Sequence, residues 1–162
     1  MNRSCEELWA LFLASGSESA AEAREARYSC WQFGIGSEQG DRLLACVQGG
    51  AKRATAGALA AYEHDGEPLP ACGDFSVITD GSGVARCVVR TTRVDVVAFD
   101  RVDADHAHAE GEGDRSLRGW RAAHWDFFTR ELAVWGQAPT GDMLVVCERF
   151  ELLFVAGDPA SQ

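Results

Sequence analysis

Lys52 and Thr55, three positions apart in "GGAKRATAG" (49–57), form the first pair in this chain whose residue types could do chemistry together. In a helical or turning segment that spacing brings both side chains onto one face. A lysine desolvated enough to give up its proton can accept one from a threonine hydroxyl, freeing the oxygen to attack a carbonyl. Read alone, the pair is more often an exposed lysine beside a helix-starting threonine. The stretch is not a phosphate loop, because Ala51 precedes Lys52 where a glycine is needed and no strand precedes Gly49 and Gly50.

A second cluster lies in "EGEGDRS" (110–116), where Glu110, Glu112 and Asp114 alternate with glycines. Crowded carboxylates raise one another's pKa, which suits a proton carrier, and Arg115 could offset part of that repulsion or bind substrate. The glycines would let backbone amides approach a ligand closely. By composition alone the stretch is a solvated loop leading into a helix. The three carboxylates could also hold magnesium through oxygen ligands. His106 and His108 alternate with Glu110 in "DHAHAE" and would face one way on an extended strand, as a metal site or as solvated side chains. His124 lies on an apolar helical stripe and reads as a hydrogen-bonded core histidine. Trp31 and Phe33, beside Gly34 and Gly36, could stack a base or belong to the core. There is no G-x-S-x-G nucleophile turn.

The bulk numbers bound what these groups can serve. The 162 residues are 46% hydrophobic, enough for one globular domain. Fifteen Lys and Arg against 25 Asp and Glu give a formal charge of -10, which argues against nonspecific coating of nucleic acid but leaves room for a nucleoside-sized substrate. The six cysteines contain no C-x-x-C pair, and "LWALFLA" follows Glu6 and Glu7 rather than basic residues. The expectation is a cytoplasmic chain with reduced, mostly core cysteines and no membrane span.

The positioning elements follow from pattern. Residues 1–28 read as a helical extension packed on the domain, in two pieces, "CEELWALFLA" and "SAAEAREARY". A helix runs from Ser37 through Val47 and stops at Gly49 and Gly50. "ATAGALAAYEH" predicts another helix, ended by "DGEPLP". "DFSVIT", the turn "DGSG" and "VARCVVRTTRVDVVAF" predict a hairpin. "SLRGWRAAHWDFFTRELAVWG" is the clearest helix, with Leu117, Trp120, His124, Phe127, Phe128, Leu132 and Trp135 on one stripe and Asp114 or Ser116 as its cap. The final strand, "DMLVVCERFELLFV", sets Val146, Phe150, Leu152 and Phe154 against Cys147, Arg149 and Glu151. This order is not the rhythm of a parallel βαβ sheet. It predicts an α+β fold with a small, mostly antiparallel sheet or barrel surrounded by helices.

"CWQFG", "GGAKRATAG", "GEPLPACGDFSV" and "EGEGDRSLRGWRAAHWDFF" followed by "VVCERFEL" together resemble the ASCH domain family. The resemblance implies a PUA-like β-barrel decorated by helices over residues 29–156 and an RNA-related role; "DPASQ" itself reads as part of a flexible tail at 157–162. Of the family pattern G-x-K-x-x-E-x-R, Gly50 and Lys52 match, while Thr55 stands at the glutamate and Gly57 at the arginine. The threonine version resembles a smaller relative that removes the acetyl group from acetylated cytidine. That likeness implies a hydrolase of an amide-type C–N bond on a modified nucleoside, with Lys52, Thr55 and Glu112 catalytic and no metal or other cofactor. Trp31, Phe33, Gly50, Arg53, Glu110, Asp114 and Arg115 would bind substrate. The alternatives are a non-catalytic RNA-binding module and a metal-dependent ribonuclease; the partner in each case is a modified nucleoside or RNA.

Overall fold

A computed structural model describes residues 2–157. Two short helices open the chain, α1 (Cys5–Ala14) and α2 (Glu18–Glu22), followed by β1 (Tyr28–Trp31) and α3 (Gly36–Gln48). Next come β2 (Ala54–Ala58), α4 (Leu59–Asp65), β3 (Phe75–Thr79) and β4 (Ala85–Ala98). The chain then runs through α5 (Ala104–Glu110) and α6 (Leu117–Ala133) to β5 (Leu144–Val155).

The five strands form one mixed sheet in the order β1-β3-β4-β5-β2. Only β1 and β3 are parallel; the β3–β4, β4–β5 and β5–β2 pairs are antiparallel. The α+β class and the PUA-like plan hold, with a correction to the expected barrel. β1 and β2 are the two edges and do not pair with each other, so the sheet stays open.

A second correction decides the site. "ATAGALAA" carries no strand signal, because alanine and glycine are poor strand formers. Its first half is nevertheless β2, since the long β5 offers an unpaired edge and Ala54–Ala58 pairs with Val145–Arg149. The helix begins only at Leu59.

Three apolar clusters hold the sheet. Leu8, Trp9 and Phe12 of α1 pack on Phe75, Val77 and Val88, so the N-terminal helices share a core with β3 and β4. Leu43, Leu44 and Val47 of α3 cover Ile78, Val89 and Phe150. Trp120, Phe128 and Leu132 of α6 pack on Phe99, Val145 and Cys147. The cysteines depart from expectation: Cys5 and Cys30 form a disulfide between α1 and β1, Cys46 is half-buried and Cys72 is exposed. Cys87 and Cys147 are buried thiols. No helix among the described residues is long and apolar enough to cross a membrane. Of the expected tail, residues 158–162 lie outside the described residues.

Candidate active site

Two features meet around β2. Beneath its first residue is a buried charge cluster; on its open face is a large cleft.

The cluster is centred on Glu110. Asp103 caps α5 by accepting from the His106 backbone N–H, and the resulting helix places His106 one turn before Glu110. On this helix the alternation that an extended strand would give does not arise: His106 is buried with Glu110, while His108 is exposed on another face. Glu110 Oε2 accepts from His106 Nε2 at 2.9 Å and from the Trp120 indole N–H. Oε1 lies 3.3 Å from His124 Nε2 and 3.6 Å from Lys52 Nζ. Burial opposes ionisation of Glu110, but the bonds from His106 and His124 and the charges of His124 and Lys52 outweigh it and hold the carboxyl well below its usual range. A buried carboxylate held by four polar neighbours serves as a structural hub.

Lys52 is only 2% exposed, and its side chain bridges two segments. Nζ donates to the Ala54 carbonyl at 2.8 Å, to Glu112 Oε2 at 3.2 Å and to the Glu110 carbonyl at 3.4 Å. Those acceptors take all three N–H bonds of a lysine ammonium. Gly111 makes the approach possible: it caps α5 with φ +70°, and a Cβ there would lie 2.3 Å from the Ala51 carbonyl oxygen. The glycine thus lets the Glu112 loop approach the Ala51–Lys52 backbone.

The supposed carboxylate triplet is in fact three separate groups. Glu110 is buried, Glu112 has a side chain 34% exposed, and Asp114 accepts from the Ser116 N–H and hydroxyl at the start of α6. Ser116 itself is the cap. Arg115 donates to the carbonyls of His108 and Ala51 and so pins the loop. Arg53 is exposed while its backbone bonds Ala109 and Phe150, and Gly50 is an exposed turn glycine. Glu110, Glu112, Asp114 and His124 line a small cavity of about 290 Å³. Ligand atoms of Glu110, Glu112 and His124 lie within 4.8 Å of one another, which a cation would require. Lys52 already brings positive charge to that space, so the donor set does not fit a resident metal.

The cleft measures about 770 Å³, within the roughly 300–1,000 Å³ of small-molecule sites. Its floor is polar and crosses four strands: Ser76 of β3, Thr91 of β4, Glu148 of β5 and Thr55 of β2. Trp31 and Phe33 form one wall, edge to face with centroids 4.6 Å apart, and Lys52 Nζ lies 5.4 Å from the Phe33 centroid. Tyr62 of α4 with Phe127 and Trp135 from α6 and its end supply the rest of the aromatic lining. His64 stacks on Trp135 at 4.0 Å and joins α4 to that end. Gly57 leaves room for Tyr62, whose ring carbon would sit 3.1 Å from a Cβ there. Both departures from the resembled motif, Thr55 and Gly57, therefore line the cleft.

Lys52 and Glu112 are thus brought together, but neither lines the cleft, and no hydrogen bond joins Lys52 to Thr55 among the described residues. On a strand the K-x-x-T spacing does not give a shared face. Thr55 instead faces Glu148, its register partner on β5. Glu148 is 7% exposed, with Oε1 accepting from the Thr91 hydroxyl at 2.7 Å. Burial raises its pKa, the Thr91 bond opposes the rise and Asp74 adds to it. Glu148 had a signal in the sequence: it shares the even-numbered face of Val146, Phe150, Leu152 and Phe154. A carboxylate on an otherwise apolar strand face marks a site or a buried pair.

The family model of the ASCH domain matches residues 29–154. The chain belongs to the ASCH domain family. Two solved structures extend the match over the whole fold. The ASCH domain from Lactobacillus crispatus JV V101 is 31% identical, with a TM-score of 0.81 over 89% of this chain and 90% of that one. Protein EF3133 from Enterococcus faecalis V583 is 34% identical, with a TM-score of 0.82 over 93% of this chain and 88% of that one. No curated protein matches. In this ASCH domain the match begins at Ser29, so the helices α1 and α2, which complete the first core cluster, precede it.

Proposed function

We propose that this ASCH domain hydrolyses an amide-type C–N bond on a modified nucleoside held in the aromatic cleft. The observation that carries the reading is the register pairing of Thr55 with the buried Glu148 in a cleft lined by aromatic side chains. Glu148 accepts the Thr55 hydroxyl proton as Oγ bonds to the acyl carbon. The C–N bond breaks, its electron pair stays on nitrogen, and the amine leaves with the proton returned by Glu148. Water then cleaves the threonine ester, releasing the acid and restoring the hydroxyl. Lys52 and Glu112 serve as positioning residues: Lys52 ties the Ala54 carbonyl, beside Thr55, to the Glu112 loop.

An RNA strand or a ribonuclease substrate fits less well, because no lysine or arginine among the described residues lines the cleft to meet phosphates. The test is acetate release from acetylated cytidine in chelator. Release that persists in Thr55→Ala overturns the nucleophile; release that requires magnesium overturns the mechanism.

A further inference from the structure

We infer that the cleft selects ligands carrying positive charge and no phosphate: a cationic, base-modified nucleoside or free base. This rests on the cleft being the substrate site, and not on the chemistry performed there.

Five carboxylates line the cavity, Asp65, Glu67, Asp74, Glu131 and Glu148, and no Lys, Arg or His side chain does so among the described residues. Their field is felt by neighbouring groups. Tyr62 is pushed up to about 12, first by burial and then by Glu148, Glu67 and Glu131. Glu131 is raised by burial and by Asp65. Lys52, whose Nζ lies 5.4 Å from the Phe33 centroid, is neutralised from behind by Glu110 and Glu112. The cavity is thus a negative well with no counter-charge of its own.

Two further features say what fills it. Aromatic faces attract cations through their quadrupoles, and Trp31, Tyr62, Phe127 and Trp135 stand around the floor. Glu148 lines the cavity although it is almost wholly buried, and its Oε1 is held by the Thr91 hydroxyl. A carboxylate this far from bulk water gains from a ligand that brings positive charge and an N–H donor. A ring bearing positive charge and an N–H edge meets both needs at once. A phosphate would face repulsion from the same carboxylates.

The test measures binding without turnover, by calorimetry on the full chain. The probes are 1-methyladenosine and 3-methylcytidine, both cationic at neutral pH, against adenosine and cytidine. Each cation is expected to bind at least about tenfold more tightly than its neutral parent, about 1.4 kcal/mol. A 5′-phosphate on 1-methyladenosine is expected to weaken binding about tenfold, and added salt to shrink the preference. Glu148→Gln, which preserves shape, is expected to remove most of the discrimination. Equal binding of the neutral parents, tighter binding of the phosphate, no binding of either cation, or unchanged preference in Glu148→Gln each overturns the inference. Failure here leaves acetate release untouched, and failure to release acetate leaves the charge preference standing.

Discussion

Thr55 and Glu148 are register partners on adjacent antiparallel strands, and both side chains enter the same aromatic cleft. Directly opposed residues hold their Cβ atoms about 4.5–5.5 Å apart, which sets the two side chains side by side on one face. The two residues are therefore paired by the sheet itself, whereas Lys52 is paired with a loop sixty residues away.

The Glu148 assignment predicts a specific pH profile. A general base must be ionised, and the pKa of Glu148 is raised above its ordinary 4.5. The acid limb of kcat/KM is thus displaced upward, with activity growing as pH rises through that value. Glu148→Gln is expected to lower kcat/KM by about 10²–10⁴ and to abolish the limb. A mutant retaining the limb assigns it to another group.

Removing the hub should unfold more than it inactivates. Glu110→Ala leaves Lys52 and His124 charged in a space with one carboxylate fewer, and breaking such buried pairs costs about 3–5 kcal/mol. Urea titration is expected to show a loss of that size, while Glu112→Ala, with a half-exposed side chain, costs less.

His124 gives stability a pH dependence of known sign. Both ring nitrogens face acceptors, Glu110 Oε1 and the Trp120 carbonyl. Burial opposes its charge, but the Glu110 bond and charge, the Trp120 carbonyl and Glu112 raise its pKa above 6.5. Its contribution is full below that unfolded value and is lost as pH rises through the folded one. The urea midpoint is expected to fall over that interval, and His124→Gln to flatten the slope.

Gly111→Ala tests the loop approach. The left-handed backbone alone costs about 1–3 kcal/mol, and the new Cβ meets the Ala51 carbonyl. A lower melting temperature is expected together with reduced activity, because the loop carries Glu112 away from Lys52. Gly113→Ala has the same backbone strain but nothing within 4 Å, so it should cost stability while sparing the Lys52 contact.

Strong periodicity made much of the fold readable. The α6 stripe placed Trp120, Phe128 and Leu132 in the core, and the "DGSG" turn located the β3–β4 hairpin. What was hidden depended on partners distant in sequence. β2 exists because β5 offers it a ladder, and the Cys5–Cys30 pair follows from α1 folding against β1. Trp31, Phe33 and Thr55 were legible as cleft residues and Glu112 as a partner of Lys52. Glu110 was undervalued because its histidine, tryptophan and lysine partners converge only in three dimensions.

The central claim is that Thr55 attacks the acyl group, and the most direct measurement is intact and peptide mass spectrometry after acid quench with acetylated cytidine. The account predicts a transient acetyl group on the peptide carrying Thr55, accumulating in Glu148→Gln if ester hydrolysis is slowed more than attack. Acetate release at full rate with no adduct, and undiminished in Thr55→Ala, would contradict it.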